Sequence, residues 1–253
     1  MNRIGLWTLI KREMIRSIKV INQVIWPPII MTLLYVFVFG LALGKQLHSI
    51  QGVSYAEFLI PGLIMLQVID SSYGECSSSL FQARFMNSIQ EMLVAPMSAG
   101  EMVFGYIFGS LARAILIGGL ITIVGFVAVH AYPTDWFVFF GVLCVVSILF
   151  SSLGLIFGLL AEKFDHIAVL TTFAITPLVF VGGVFTNAES LPPLMRQLSL
   201  FNPMFYTIDA FRYSYTGQSY LPLAFSIGAI CALAVICTGI VLRMMSVGYK
   251  LRP

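Results

Sequence analysis

Six long apolar runs, separated by short polar punctuation, set the plan of this chain. The first runs from Val24 to Leu43 and opens on Pro27-Pro28, which a first helical turn tolerates. The others run from Phe58 to Leu80, Met102 to Val129, Trp136 to Leu160, Ile167 to Phe185 and Leu221 to Met245. A bilayer core takes about 20 apolar residues of helix to cross. An unpaired backbone amide in lipid costs several kcal/mol, so each run is expected to be a transmembrane helix. The pattern predicts an all-α membrane protein with six transmembrane helices, forming one domain over residues 1–253.

Three segments between or before the runs carry a pattern of their own. Over residues 3–21, Trp7, Ile10, Met14, Ile18 and Ile21 recur at helical spacing while Arg12, Arg16 and Lys19 fall on the other face. This suits an amphipathic helix in the interfacial layer, apolar side down and basic side toward anionic lipid. The loop over residues 84–101 contains Ser88 and, three residues on, Glu91, which is capping-box spacing for a short helix that Pro96 would stop. After the fifth run the chain is too long for a passive turn and too apolar to float in water. Ser190 before Leu191-Pro192-Pro193 reads as one helix start there, and Asn202-Pro203 as a second. Met204, Ile208, Phe211 and Tyr215 then recur at helical spacing, and Gly217 is placed to end the helix. Residues 186–217 are therefore expected to form a re-entrant helical hairpin between the fifth and sixth spans, a backbone tolerated at that depth only when buried in protein or lining water.

Composition agrees. Of 253 residues 59% are hydrophobic and 10% charged, and the mean hydropathy is +0.95, whereas a soluble domain carries roughly a quarter charged residues. With the N-terminus inside, the cytoplasmic side collects Arg3, Lys11, Arg12, Arg16, Lys19, Arg84, Lys163, Arg243, Lys250 and Arg252. The outer side keeps Lys45, Arg196 and Arg212. That bias predicts both termini in the cytoplasm. The formal charge of +3 gives no basic block apart from membrane flanks, so no nucleic-acid partner is expected. Met1 to Ile21 is too long and mixed for a signal n-region, so cleavage is not expected. Cys76, Cys144, Cys231 and Cys237 sit in apolar runs with no metal-site spacing.

Charged residues inside spans are costly, roughly 2.5 to 3.5 kcal/mol each at a helix centre, and are functional hypotheses by default. There are three: Asp70 and Glu75 in the second span and Arg113 in the third. Counted from the cytoplasmic loop, Asp70 and Arg113 each lie about 21 Å up and Glu75 about 13 Å up, so either acid can pair with Arg113. One reading is a structural ion pair between the two helices. The other leaves one acid over to line a polar route or sense protons. Enzyme signatures are missing: Gly40-Leu41-Ala42-Leu43-Gly44-Lys45 has one residue too few for a phosphate loop and lacks the following Ser/Thr. His48, His130 and His166 are scattered, and no metal set is seen. Phe37, Tyr73 and Phe180 read as packing or lipid-facing aromatics before they read as a substrate lining.

The stretch Glu91-Met92-Leu93-Val94-Ala95-Pro96-Met97-Ser98, with Glu101 and Gly105, resembles the loop between the second and third helices of the type-2 ABC exporter permeases. Gly182-Gly183-Val184-Phe185 is similar to their glycine-rich signature at the end of the fifth helix. Phe201-Asn202-Pro203-Met204-Phe205-Tyr206, with Asp209 and Arg212, resembles their Asn-Pro segment before the last helix. The motifs occur in order and the match covers essentially the whole chain. The resemblance implies a bacterial inner-membrane permease that works as a homodimer with two copies of a separate ABC ATPase. ATP and Mg would be held by that partner, and no cofactor by this chain. It implies ATPase-coupling roles for Gln90, Glu91, Met92 and Leu93 and for Arg12 and Arg16 of the amphipathic helix. Gly182, Gly183, Asn202 and Pro203 would be the re-entrant or gate elements. Membrane lipid would surround it, and an amphipathic, lipid-like or glycolipid substrate would move outward. Asp70 and Glu75 depart from the family pattern, so their role is particular to this chain. The rival readings are a proton-coupled secondary transporter using Asp70 or Glu75, a lipid-acting membrane enzyme, and a scaffold.

Overall fold

A computed structural model describes residues 3–42, 53–95, 97–186 and 192–251. Helix α1 (Arg3–Lys19) leads through a one-residue turn into α2 (Ile21–Tyr35), which continues as π-helix over Val36–Ala42. Then come α3 (Tyr55–Phe85), the short α4 (Ser88–Val94), α5 (Ala99–Val129) and α6 (Trp136–Leu160). The next helix, α7 (Phe164–Val184), contains two π-helical stretches. It is followed by α8 (Pro193–Phe201), α9 (Pro203–Thr216) and α10 (Leu223–Val247).

Among the described residues, five helical stretches are long and apolar enough to cross a membrane: Ile21–Gly40, Ala99–Val129, Trp136–Leu160, Phe164–Val184 and Leu223–Val247. The sixth expected span, Phe58 to Leu80, lies inside α3, which is not among the five. Gln67, Asp70, Glu75 and a run of serines dilute its apolar content. Yet α3 is the core of the bundle. Phe58, Leu59, Ile60, Leu63, Ile64, Met65, Val68, Ile69 and Tyr73 are buried, packed between α5 and α6. A Cβ on Gly154 or Gly158 of α6 would lie 2.5 Å from the Tyr73 carbonyl or 2.9 Å from that of Ser77, so the two glycines let α6 close on the α3 backbone.

Local chemistry explains the helix ends. Both α3 and α5 begin with capping boxes: the Ser54 hydroxyl accepts from Glu57 N–H and the Ser98 hydroxyl from Glu101 N–H, each at 3.3 Å, with the glutamates answering the serine amides. At 31 residues each, these helices are about 46 Å long, more than the ~30 Å hydrocarbon core. Their surplus turns are where α1 and α4 attach. Serine hydroxyls join helices inside the core, Ser151 to Ser110 at 2.8 Å, Ser72 to Ser147 at 3.2 Å and Ser152 to Thr238 at 2.9 Å.

Candidate functional site

At one end of the bundle, α1 lies across α5 and reaches the foot of α3 through its side chains. The seat is a pair of glycines four residues apart. A Cβ on Gly105 would meet Leu9 Cδ2 at 2.6 Å, and one on Gly109 would meet Glu13 Cβ at 2.6 Å. Small residues at this spacing let helices approach closely, and here they bury Leu9, Ile10 and Glu13.

That seating brings five charges together. Glu13 accepts from Arg12 at 2.8 Å and from the Ser79 hydroxyl at 2.7 Å, with Arg16 at 3.2 Å. Arg16 also reaches Glu75 at 2.7 Å, and the Ser17 hydroxyl donates to the same oxygen at 2.9 Å. The other Glu75 oxygen accepts from Arg113. Arg12 also donates to the Tyr106 hydroxyl at 3.1 Å and to the Met92 sulfur at 3.7 Å, joining α1 to α4. Burial by itself would lower the Arg12 pKa, but interaction with Tyr106 and Glu13 holds it above its ordinary value. Two buried carboxylates thus serve three guanidinium groups, and four helices meet at them.

Several sequence expectations change here. Arg12 and Arg16 do not face away toward lipid; they turn inward because the buried acid Glu13 lies between them and Glu75 opposite. The exposed residues of α1 include the apolar Ile4, Trp7 and Ile18. Of the two acids near Arg113, Glu75 is the partner, and Asp70 is exposed with no ion pair among the described residues. Five residues on a helix turn the side chain by about 140°, so the two acids cannot share a face. Ser88 does not cap α4. Asn87 occupies that position in the left-handed region, φ 57°, and the Ser88 hydroxyl donates to the Ala83 carbonyl at 3.2 Å. Pro96 lies outside the described residues. On α4, Gln90 and Glu91 are exposed, Met92 and Leu93 half-buried, and Ile89 anchors the helix. Glu13, Ser79 and Gly109 were not singled out from sequence. The signals were there, in a lone acid within a basic helix and in the Gly105–Gly109 spacing.

At the opposite end, the glycine pair and the Asn-Pro segment come together. Gly183 has φ 101°, a region that side chains rarely enter, and it ends α7. Its carbonyl accepts from Arg212 of α9 at 2.7 Å, and that guanidinium lies 3.9 Å over the Phe58 ring. A Cβ on Gly182 would press on Met204 at 3.0 Å. The Asn202 carboxamide accepts from Met204 N–H at 3.0 Å and donates to the Leu178 carbonyl at 2.6 Å, so it caps α9 and ties it to α7. Pro203 opens α9, and Gly217 closes it at φ 67°. Asp209 accepts from the amides of Tyr220 and Leu221 at 2.8 and 3.2 Å, fixing the approach to α10. α8 is mostly exposed and α9 mostly buried. The expected start at Ser190-Leu191 lies outside the described residues, and α8 begins at Pro193.

Between the two ends, α3 turns one face outward. From Phe58 to Phe81 every apolar side chain of α3 is buried, and the positions that are not are Gln67, Asp70, Ser71, Gly74 and Ser78. Exposed Gln82 continues the line. This stripe is about 22 Å long. The other long helices expose large apolar side chains: Trp26, Leu34 and Phe37 on α2, Ile123 and Val127 on α5, Phe173 on α7, Val235 and Ile236 on α10. Phe37 is exposed and Tyr73 buried against Phe157.

Membrane-length apolar helices around a polar-faced central helix, charged at one end and capped at the other, define a multi-pass membrane protein. The sequence profile of the ABC-2 type transporter family matches residues 5–216, and the chain belongs to that family. It is 36% identical over 245 residues to the inner membrane transport permease YadH of Escherichia coli (strain K12), covering 94% of this chain and 96% of YadH. Nodulation protein J of Rhizobium leguminosarum bv. viciae is 28% identical over 207 residues, 80% of this chain and 79% of that protein. The Rhizobium meliloti (strain 1021) nodulation protein J is 27% identical over 208 residues, 81% and 78%.

Proposed function

We propose that this chain is the membrane half of an ATP-driven exporter, a homodimer served by two copies of a separate ABC ATPase. It would move an amphipathic, lipid-like or glycolipid substrate outward across the inner membrane. The observation that carries the reading is the polar stripe on α3. A face of Gln67, Asp70, Ser71 and Ser78 along the middle of a helix is unfavourable against lipid. It is accommodated when a second copy covers it or when the two copies enclose a watered route. With α3 counted, six helices span the bilayer, and the basic residues hold both termini in the cytoplasm. α8 and α9 then form the outer re-entrant pair, with Gly182, Gly183, Asn202 and Pro203 at its gate.

The charged junction supports coupling. Exposed Gln90 and Glu91 offer a surface to an ATPase, while Met92 connects α4 through Arg12 and Arg16 to Glu75 and Arg113 within the bundle. A push on α4 reaches two spans through α1. The test is co-purification of tagged chain with the ATPase encoded beside it, followed by ATP turnover of the complex. Glu91→Ala and Leu93→Ala are expected to lower turnover or its response to substrate at normal folded yield. Capture of no ATPase would refute the reading. The carboxylate of Asp70, which makes no ion pair among the described residues but lies within the field of Arg113, supports a second reading, a proton-coupled transporter, which predicts transport by the chain alone in liposomes under a pH gradient.

A further inference from the structure

Beside the charged junction, α1 and the foot of α3 enclose a cleft of about 470 Å³. Lys11, Arg12, Arg16 and Lys19 line it from α1, with Ser79 and Gln82 from α3, and Glu13 is the one acid in the wall. Arg12 and Arg16 are held by Glu13 and Glu75, whereas Lys11 and Lys19 are exposed and make no ion pair among the described residues. Arg16 also keeps a buried Nε without a hydrogen-bond partner. Arg12 and Arg16, and Arg16 and Lys19, are like charges four and three residues apart, which repel on a helix; with Lys11 beside them, the cleft is a place where an anion belongs. The Gln82 carboxamide beside them adds a neutral donor that suits a phosphate oxygen.

We propose that this cleft binds the anionic, phosphate-type headgroup of a membrane amphiphile, with Lys11 and Lys19 as its free cations and Arg12 and Arg16 as its floor. The proposal rests on the permease reading only for placing α1 among the cytoplasmic headgroups. Three observations favour a lipid. The cleft has the size of a small-molecule site and not of a groove for a protein helix. The exposed Trp7 and Ile18 of the same helix suit the bilayer interface. Gln82 belongs both to the cleft and to the α3 stripe, so a headgroup held here sits at the foot of that polar stripe. The site thereby narrows the expected substrate to an amphiphile with an acidic head.

The test uses purified full-length protein in neutral detergent at low salt, titrated with dihexanoyl phosphatidic acid, dihexanoyl phosphatidylcholine and inorganic phosphate. Phosphatidic acid is expected to bind saturably, and more weakly as salt rises. Lys11→Gln/Lys19→Gln should weaken it by on the order of tenfold, with Lys163→Gln, outside the cleft, as the unchanged control. Wild-type affinity in the double variant overturns the proposal, as does equal affinity for phosphatidylcholine. Inorganic phosphate binding as tightly as the lipid would make this a free-anion site and overturn it too. If the double variant keeps lipid affinity but loses the ATPase, the cleft is a protein-docking surface and the proposal falls. Failure of wild-type protein to capture an ATPase, with lipid binding still dependent on Lys11 and Lys19, sinks the permease reading and leaves the lipid site standing.

Discussion

The two ends of α3 are held by different chemistry. At the α1 end, side chain meets side chain: Glu75 and Ser79 of α3 engage Arg16, Arg113, Ser17 and Glu13. At the other end, side chain meets backbone. The Tyr55 hydroxyl donates to the Phe185 carbonyl at 2.8 Å, and Arg212, stacked over Phe58, donates to the Gly183 carbonyl. A bond to a carbonyl fixes where a chain turns. An ion network fixes which helices lie together, and its partners can exchange without moving any turn. The comparison assigns shape to the end with α9 and transmission to the end with α1.

The largest expected effect lies in the network. Glu75→Gln removes the carboxylate of α3 to which Arg113 and Arg16 bond. Breaking a buried pair from one side costs about 3–5 kcal/mol, so melting temperature and folded yield should fall sharply. Arg113→Met should also destabilise, and the double variant should recover part of the loss, because neighbours in one network are not additive. Strict additivity in that cycle would mean that the pair does not couple α3 to α5.

Next comes the backbone latch. Arg212→Met removes a charge-assisted hydrogen bond and the contact over Phe58, at about 1.5–3 kcal/mol. Arg212→Lys should not restore it, since an ammonium lacks the flat guanidinium that stacks on the ring. Asn202→Ala is smaller. It removes the cap of α9, about 1 kcal/mol, with the bond to Leu178 lost as well. In both variants thermal melting should drop while the α1 end stays intact, as read by unchanged cross-linking of a cysteine pair placed at Leu9 and Gly105. Loss of that cross-link would join the two ends into one cooperative unit and erase the distinction.

Much of this plan was legible in the chain. Five runs gave membrane-length helices because lipid demands uninterrupted apolar length, and Asn202-Pro203 and Gly217 marked the ends of α9 because capping is local chemistry. Tertiary choices were not legible. Height along the helix made Asp70 the equal of Glu75 as a partner for Arg113, but the face presented to α5 decides, and only packing shows that Glu75 has it. The inward turn of Arg12 and Arg16 followed from Glu13, whose burial depends on Gly109 in a helix ninety-odd positions away. Ser88 and Glu91 had capping-box spacing, and a left-handed Asn87 pre-empted the cap.

The smallest expected effect on stability is the most informative about α3. Asp70 is exposed and unpaired among the described residues, and it lies in the stripe that belongs to neither end. Substitutions at such positions usually fall within ±0.5 kcal/mol, so Asp70→Asn should leave melting temperature and yield as they are. A stripe that meets substrate or a second copy predicts a different readout. Transport, or substrate-stimulated ATP turnover in the complex, should change several-fold in Asp70→Asn, while Glu75→Gln should act chiefly by unfolding. Two acids five residues apart on one helix would then separate function from architecture. If Asp70→Asn changes neither stability nor transport, the stripe faces nothing that the protein uses, and the division of labour along α3 has to be drawn elsewhere.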